Sequence, residues 1–508
     1  MPPLIGRKQS TYLFYCYKAA VFLLFVIISS LASCTNAEPK EMVSTVLSNP
    51  AKTAVSPTAA ISTPTLGPTA VPPTKAIPTP SPEPTAVPVP TLTLLGDYPL
   101  LSPEDMRYDL DELFHRLETT HPNPYAKRPK DEVDLERARI NDELARPLTM
   151  IDFFKKVAPL IFSLGDTHTQ VDLPDATLDE IIKNERFFPF TVQIEGEHAY
   201  IIDNYSGDVD IALGTELLAV NDIPITTMWD EAKGYSDRYF SPLHFFLLFG
   251  SLPEYRVTLL PKANTPVTQI VPGVTASEVM QQVVTEYQPE EPVTYTTVLG
   301  EPIGVLTINT FSTGLGPALK SAFTQIQADG VQHLIIDVRT NGGGYYAQVQ
   351  SIMDYLANNL YRSCAQSIQA PFRGYGSGEP REMECEVIQP FAVAERYQGK
   401  IYLLIGPDTF SASITLATIL QDYDMGLLIG EETTDSASYC ADVPLEMSSL
   451  PRTGLRYRIS RTCYVRPSGV LDDQPVVPDI IVKTAVIDQI AGNDPVLTYT
   501  LEMIQDDQ

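Results

Sequence analysis

The spacing of apolar positions changes character several times along this chain. From Ser102 a helical period sets in: Met106, Leu110, Leu113, Phe114 and Leu117 recur three or four apart and predict one buried stripe. Ser102 is placed as the N-cap, with Pro103 at the first helical position and Glu104 and Asp105 in the first turn. His121-Pro122-Asn123-Pro124-Tyr125 stops that helix, and a second is predicted over roughly Met150 to Leu164, leading into Gly165-Asp166-Thr167-His168-Thr169. Between Phe187 and about Gly273 the pattern shortens to β runs, among them Val192-Gln193-Ile194, Ala199-Tyr200-Ile201-Ile202 and Tyr255-Arg256-Val257-Thr258-Leu259-Leu260. From about residue 285 strands and helices alternate. Gly304 to Ile308 reads as a strand, Leu315 to Gln327 as a helix, Leu334 to Asp337 as a strand, Tyr346 to Leu360 as a helix, and Ile401 to Ile405 as a strand with a helix after Ser411. Such alternation predicts an α/β core with a largely parallel sheet.

The first hundred residues carry none of these periods. Arg7, Lys8 and Lys18 precede an apolar stretch, Ala19 to Leu31, that is short for a membrane span and reads as a signal peptide over residues 1–33. Leu31-Ala32-Ser33-Cys34 resembles the bacterial lipobox, which makes Cys34 the expected lipidation site and the new first residue. Residues 34–95 read as a linker: from Pro57 to Pro90 there are eleven prolines, with Lys75 and Glu83 the only charges. An extended polyproline conformation at about 3.1 Å per residue gives this stalk a reach on the order of 100 Å.

Composition narrows the choice of partner. At 44 % apolar and 19 % charged, the 508 residues have the make-up of a globular protein. Asp and Glu outnumber Lys and Arg 63 to 35, for a net charge of −28, so the phosphates of nucleic acid would be repelled. Docking to an anionic membrane by charge alone is excluded on the same ground. The expected partner is a peptide or protein substrate, with the membrane reached only through the lipid anchor. Apart from Cys16 and Cys34, four cysteines remain: Cys364, Cys385, Cys440 and Cys463. An even number in an exported chain predicts two disulfides, and the near pairs Cys364–Cys385 and Cys440–Cys463 are favoured among three connectivities. Zinc is the rival, without Cys-x-x-Cys or histidine spacing to support it.

Two runs carry the candidate chemistry. Asp337-Val338-Arg339-Thr340-Asn341-Gly342-Gly343-Gly344 follows one apolar strand, and Gly406-Pro407-Asp408-Thr409-Phe410-Ser411-Ala412-Ser413 follows another. Ser411 falls on a strand-to-helix turn, where the helix dipole and free amides favour an oxyanion. The glycines let a second backbone donor approach. A serine nucleophile also needs a base, and of six histidines His168 stands out, in a loop between Thr167 and Thr169.

The first run resembles the Asp-Leu-Arg-x-Asn-x-Gly-Gly signature of the S41 serine peptidases, the C-terminal processing, tail-specific and tricorn-like enzymes. Thr409-Phe410-Ser411-Ala412-Ser413 is similar to their nucleophile segment, and Gly165-Asp166-Thr167-His168-Thr169 to the Gly-Asp-x-His-Thr element of the branch that uses histidine. His121-Pro122-Asn123 and Val477-Pro478-Asp479-Ile480 match further pieces. The resemblance covers roughly residues 100 to 485. It implies an α/β, ClpP/crotonase-like core with a mixed, largely parallel sheet over 285–485. An N-terminal helical region (96–186) carries His168, and a C-terminal helix or tail occupies 486–508. Gly214-Thr215-Glu216-Leu217-Leu218-Ala219-Val220-Asn221 looks like the central part of a PDZ domain, placing a divergent PDZ-like insert at 187–275.

The processing branch uses a lysine base, but Ser436 stands at that position here. The resemblance therefore implies Ser411 as nucleophile, His168 as base and Asp472 as its orienter, in place of the family's glutamate, with Asp473 as competitor. Gly343 and Ala412 are the implied oxyanion donors, and no cofactor or metal is expected. Ile414 where the family often has glutamate, and aspartate at 472, are departures that leave a non-catalytic, peptide-binding scaffold as the alternative. An esterase elbow and a His-Glu-x-x-His metal site are both missing from the sequence.

Overall fold

In the computed structural model the described residues run from 94 to 506, without 236–237, 263–264, 287–290, 371–379, 445 and 472. The helical region comes first. Helix α1 (Pro103–Thr120) is capped by Ser102, whose Oγ accepts the Asp105 N–H at 3.1 Å, and buries Met106, Leu110, Leu113, Phe114 and Leu117. Helices α2 (Lys130–Glu143) and α3 (Met150–Phe162) pack on it. The α3 helix stops two residues before the expected Leu164, because the chain tightens into short turns and Gly165 takes the left-handed φ of 73°. Strand β1 (Gln170–Asp172) and helix α4 (Asp175–Asn184) complete this region.

A β-rich unit follows with its own core, centred on Phe188, Phe190, Phe240, Phe245 and Tyr255. Its strands are β2 (Phe190–Glu195), β3 (His198–Asn204), β4 (Glu216–Val220), β5 (Tyr239–Phe240), β6 (Glu254–Leu260) and β7 (Val267–Pro272). They form an antiparallel sheet in the order β7-β6-β4-β3-β2-β5, with the short strand Ile223–Pro224 added against β4. Helix α5 (Pro242–Phe249) packs Phe245 and Phe249 into that core and Phe246 into the core of the helical region, and helix α6 (Ala276–Glu286) follows.

The C-terminal α/β core is a six-stranded mixed sheet. Its strands are β8 (Val293–Thr297), β9 (Ile303–Ile308), β10 (His333–Asp337), β13 (Lys400–Ile405), β14 (Leu427–Gly430) and β18 (Ile480–Ile481), in that spatial order. Only the β8–β9 pairing is antiparallel; the four others are parallel. Strands β10 and β13 read as unbroken apolar runs because helices cover both faces of the sheet. The connecting helices are α7 (Leu315–Ala328), α8 (Ala347–Leu356) and α9 (Ala412–Asp422), with α10 (Pro495–Asp506) against the opposite face. The α8 helix ends at Leu356 rather than Leu360: Ala357 is already extended, and Tyr361 bridges to Ile388. A second, antiparallel sheet sits beside it, built from β11 (Gln366–Gln369), β12 (Arg381–Glu384), β15 (Tyr439–Ala441) and β17 (Thr462–Val465). Disulfides join Cys364 to Cys385 and Cys440 to Cys463, the second between directly paired residues of β15 and β17.

What joins the helical region to the core is long-range pairing. Strand β1 pairs with β16 (Arg456–Arg458), Asp172 opposite Arg456 and Gln170 opposite Arg458. The buried Asp109 carboxylate on α1 accepts both the N–H and the hydroxyl of Thr453, each at 2.6 Å. These contacts carry the 165–169 loop to the carboxyl ends of β10 and β13.

Candidate active site

Ser411 follows strand β13 at the start of helix α9. It holds φ 56° and ψ −118°, a conformation disfavoured for a residue with a side chain, and its hydroxyl makes no cap to the helix. The ordinary N-cap role for a serine at this position is therefore not taken up. The turn is held from the neighbouring strand. Asn341, fully buried, accepts the Phe410 N–H and the Ser413 hydroxyl on its carbonyl, at 3.1 and 2.9 Å, while its side-chain amide donates to the Ile308 carbonyl at 2.8 Å. Thr409 donates its hydroxyl to the Val338 carbonyl at 3.0 Å. Arg339 is clamped between Asp337 and Asp494, with 2.7 Å contacts to each. The two sequence runs thus form one structure at adjacent parallel strand ends, the usual place for a site in such sheets.

His168 arrives from the helical region. Its Nε2 lies 3.2 Å from Ser411 Oγ, a hydrogen-bond distance between residues 243 positions apart. Its ring stacks on Phe410 with centroids 4.5 Å apart, and on Tyr439 at 5.8 Å. The loop is fixed by Asp166, which accepts the His168 N–H at 3.0 Å on one oxygen and bonds His121 Nε2 at 3.0 Å on the other. The Asn123 N–H donates to His121 Nδ1, leaving the Nε2 proton for Asp166. Burial pushes the Asp166 carboxyl up, but His121, Thr169 and His168 outweigh it and hold it at about 2. Further along, Thr169 Oγ1 accepts the Ser460 N–H at 3.0 Å.

The carboxylate found beside the imidazole is one the sequence reading passed over. Asp435 Oδ2 lies 4.0 Å from His168 Nδ1, beyond hydrogen-bond range but close enough for strong attraction in a buried site. Asp435 accepts the Thr167 hydroxyl at 2.7 Å and the Ser436 N–H at 2.8 Å. Burial raises its carboxyl above the ordinary range, against the pull of His168, Thr167, Ser436 and Lys127. Asp472 and Cys34 lie outside the described residues. Asp473 is exposed, and its carboxylate accepts from the Gln474 side chain. Asp435 was visible in the sequence, at the end of the run after β14 and next to Ser436, but nothing local tied it to a histidine 267 positions earlier. The same holds for Lys127, whose ammonium donates to Ser436 Oγ at 2.7 Å and to the Gly165 carbonyl at 2.8 Å.

The glycine turn corrects one expectation. The Gly343 N–H donates to Asn341 Oδ1 at 2.8 Å and so is not presented as an oxyanion donor in this conformation. What position 343 contributes is space: at φ 93°, an added Cβ would lie 2.6 Å from the Ser411 Cβ and 3.0 Å from the Ala412 nitrogen. The Ala412 N–H, at the first turn of α9, is among the amides for which a helix has no internal acceptor. As for zinc, His121 comes within 4.8 Å of Cys440 and Cys463, but those sulfurs are joined to each other.

A strained serine at a strand–helix turn, an imidazole on its hydroxyl and a buried carboxylate behind that ring make an arrangement that could support nucleophilic acyl-transfer chemistry. Residues 302–482 match Peptidase family S41, and that stretch is a Peptidase S41 family domain. The "Tail-specific protease" of Haemophilus influenzae is 24 % identical over 172 residues, covering 33 % of this chain and 23 % of that protein. The chloroplastic "C-terminal processing peptidase" of Tetradesmus obliquus is 25 % identical over 185 residues, 36 % of each. The matched stretch thus spans between 23 % and 36 % of the length of these relatives. Mature CPAF complexed with lactacystin shares the fold at TM-score 0.57 and 15 % identity, over 79 % of this chain and 97 % of that one.

Proposed function

We propose that this chain is an extracytoplasmic, lipid-anchored serine endopeptidase that cleaves peptide bonds with Ser411 as nucleophile. The observation that carries the reading is the 3.2 Å contact between His168 Nε2 and Ser411 Oγ. In this reading His168 takes the serine proton as Ser411 attacks the scissile carbonyl, then delivers it to the leaving amine. An acidic group stabilises the imidazolium that forms between the two steps. Asp435 is the described carboxylate best placed for that role, with Asp472 the sequence-based candidate. The Ala412 N–H stabilises the tetrahedral oxyanion, a contribution worth about 3–4 kcal/mol per donor in other hydrolases. Retention of membrane attachment depends on Cys34, and Cys34→Ser is expected to release the protein from the membrane fraction.

A fluorophosphonate, which reacts with activated serines, is expected to label Ser411 in the folded full-length protein. Labelling and peptide cleavage are both expected to vanish in Ser411→Ala, and to fall by roughly 10⁴-fold or more in His168→Ala. Folded protein that takes no label would point instead to a peptide-binding scaffold.

A further inference from the structure

The loop that follows α1 grips the histidine's loop at two points. At one end His121 bonds Asp166. At the other, the Lys127 ammonium donates to the Gly165 carbonyl at 2.8 Å and to Ser436 Oγ at 2.7 Å. The lysine stem lies across Gly165, where an added Cβ would come within 2.7 Å of its Cδ, so the glycine also makes room for it. Ser436 in turn donates its N–H to Asp435 Oδ1 at 2.8 Å and its hydroxyl to the Asp473 carbonyl at 3.1 Å. One ammonium thus joins the loop that carries His168 to the turn that carries Asp435.

We infer that Lys127 is a positioning residue for the His168–Asp435 pair, holding the two loops together and supplying a standing positive charge beside that acid. Its part in turnover rests on the peptidase reading; its electrostatic part does not. Burial disfavours the Asp435 carboxylate, and a protonated acid would do nothing for an imidazolium. Four groups oppose burial: His168, the Thr167 hydroxyl, the Ser436 N–H and Lys127. The hydroxyl and the amide are neutral dipoles, and His168 carries charge only after it has taken a proton. Of the four, Lys127 is the one that is a cation before reaction starts. The other titratable groups around the pair are Asp166, bonded by His121, Tyr439, stacked on the imidazole, Asp408, matched by Arg238, and the exposed Asp473. Removing the ammonium therefore strengthens proton binding by the pair, and the acid limb of activity moves to higher pH. Lys127 is exposed as a whole, so solvent screens its charge and the shift is modest.

The test follows the rate of fluorophosphonate labelling of Ser411 in the full-length protein from about pH 5 to 9. Lys127→Met removes charge and bonds, Lys127→Gln keeps a hydrogen-bond donor without charge, and Lys127→Arg keeps the charge. Both neutral variants are expected to raise the midpoint of the acid limb by about 0.5 pH unit, slowing labelling there about three-fold. Lys127→Arg is expected to keep the midpoint within ~0.2 unit of wild type. Histidine NMR in Ser411→Ala, with the His168 signal identified by its loss in His168→Gln, gives a readout that needs no activity. The titration seen at His168 is expected to move up by the same amount when Lys127→Met is added. Midpoints unmoved in both neutral variants would overturn the inference. So would a Lys127→Gln protein with the wild-type midpoint, or a Lys127→Arg protein displaced as far as Lys127→Met. Should one neutral variant fail to fold, the other still decides it. A folded wild type that takes no label would sink the peptidase reading, and the NMR titration would still decide whether Lys127 sets the proton affinity of the pair.

Discussion

Ser411 and His168 meet across 3.2 Å, yet the two sides of that contact are built in different ways. The serine side is assembled within one sheet. Asn341, Thr409 and the glycine turn tie the ends of two adjacent parallel strands together, and the apolar runs of β10 and β13 place those ends side by side. On the histidine side the supports come from far apart in the chain. Asp166 leans on His121, Thr167 on Asp435, Thr169 on Ser460, and Lys127 on Ser436. The serine's geometry is thus a property of the sheet, whereas the histidine's geometry is a property of how the helical region docks. Damage to the first should abolish the chemistry; damage to the second should weaken it by degrees.

The largest effect expected from a single added methyl is on the serine side. Gly343→Ala forces a Cβ against Ser411 at a backbone angle that disfavours it, and should cut kcat by roughly 10³-fold with the protein still folded. Steady-state kinetics beside a melting curve would check this; near-normal turnover would mean that the turn yields to an added Cβ. Next comes the choice between acids. Asp435→Asn is expected to lower kcat about 10–100-fold with little change in KM, while Asp473→Asn leaves both unaltered. Equal, small effects from both would remove Asp435 from the mechanism.

His121→Gln tests the docking more gently. It removes the imidazole bonded to Asp166 and should reduce kcat about tenfold and stability by about 1–2 kcal/mol. Unchanged kcat in a destabilised variant would show that the loop holds His168 without it. The smallest expected effect is on stability alone, at the join between β1 and β16. Burial raises the Asp172 carboxyl to about 7, against a bond from the Leu173 N–H and attraction to Arg456 and Arg458. The folded state therefore keeps this proton up to a pH near 7, while the unfolded chain releases it near pH ~4. Between those values the folded state binds more protons, so this group's contribution falls as pH rises. Asp172→Asn should flatten that decline, with a gain on the order of 1 kcal/mol at pH 8 in denaturant titrations. A steeper decline in the variant would refute the assignment.

Much of the serine side was legible before any coordinates. Ser102 and its stripe of apolar residues specified α1, and the alternating strands and helices after residue 285 specified a largely parallel sheet, because these signals are carried by neighbours in sequence. The Asp337–Gly344 and Gly406–Ser413 runs marked the strand ends where Ser411 sits. Other features had no local signature. The helix limits at Phe162 and Leu356 were set by where the chain had to turn. The bond between Gly343 and Asn341 depends on how the turn closes on itself. Asp435 and Lys127 looked like ordinary polar residues, since their partners lie 267 and 309 positions away.

By itself, then, the sequence determined most of the elements and the turn on which Ser411 sits, and it singled out His168 as the candidate histidine. Only the tertiary structure decided which carboxylate faces that histidine and which glycine amide is already taken. The physical reason is range: backbone propensity, capping and apolar period act over a few residues. The placement of a buried charge is settled by whatever the folded chain brings within a few ångströms of it.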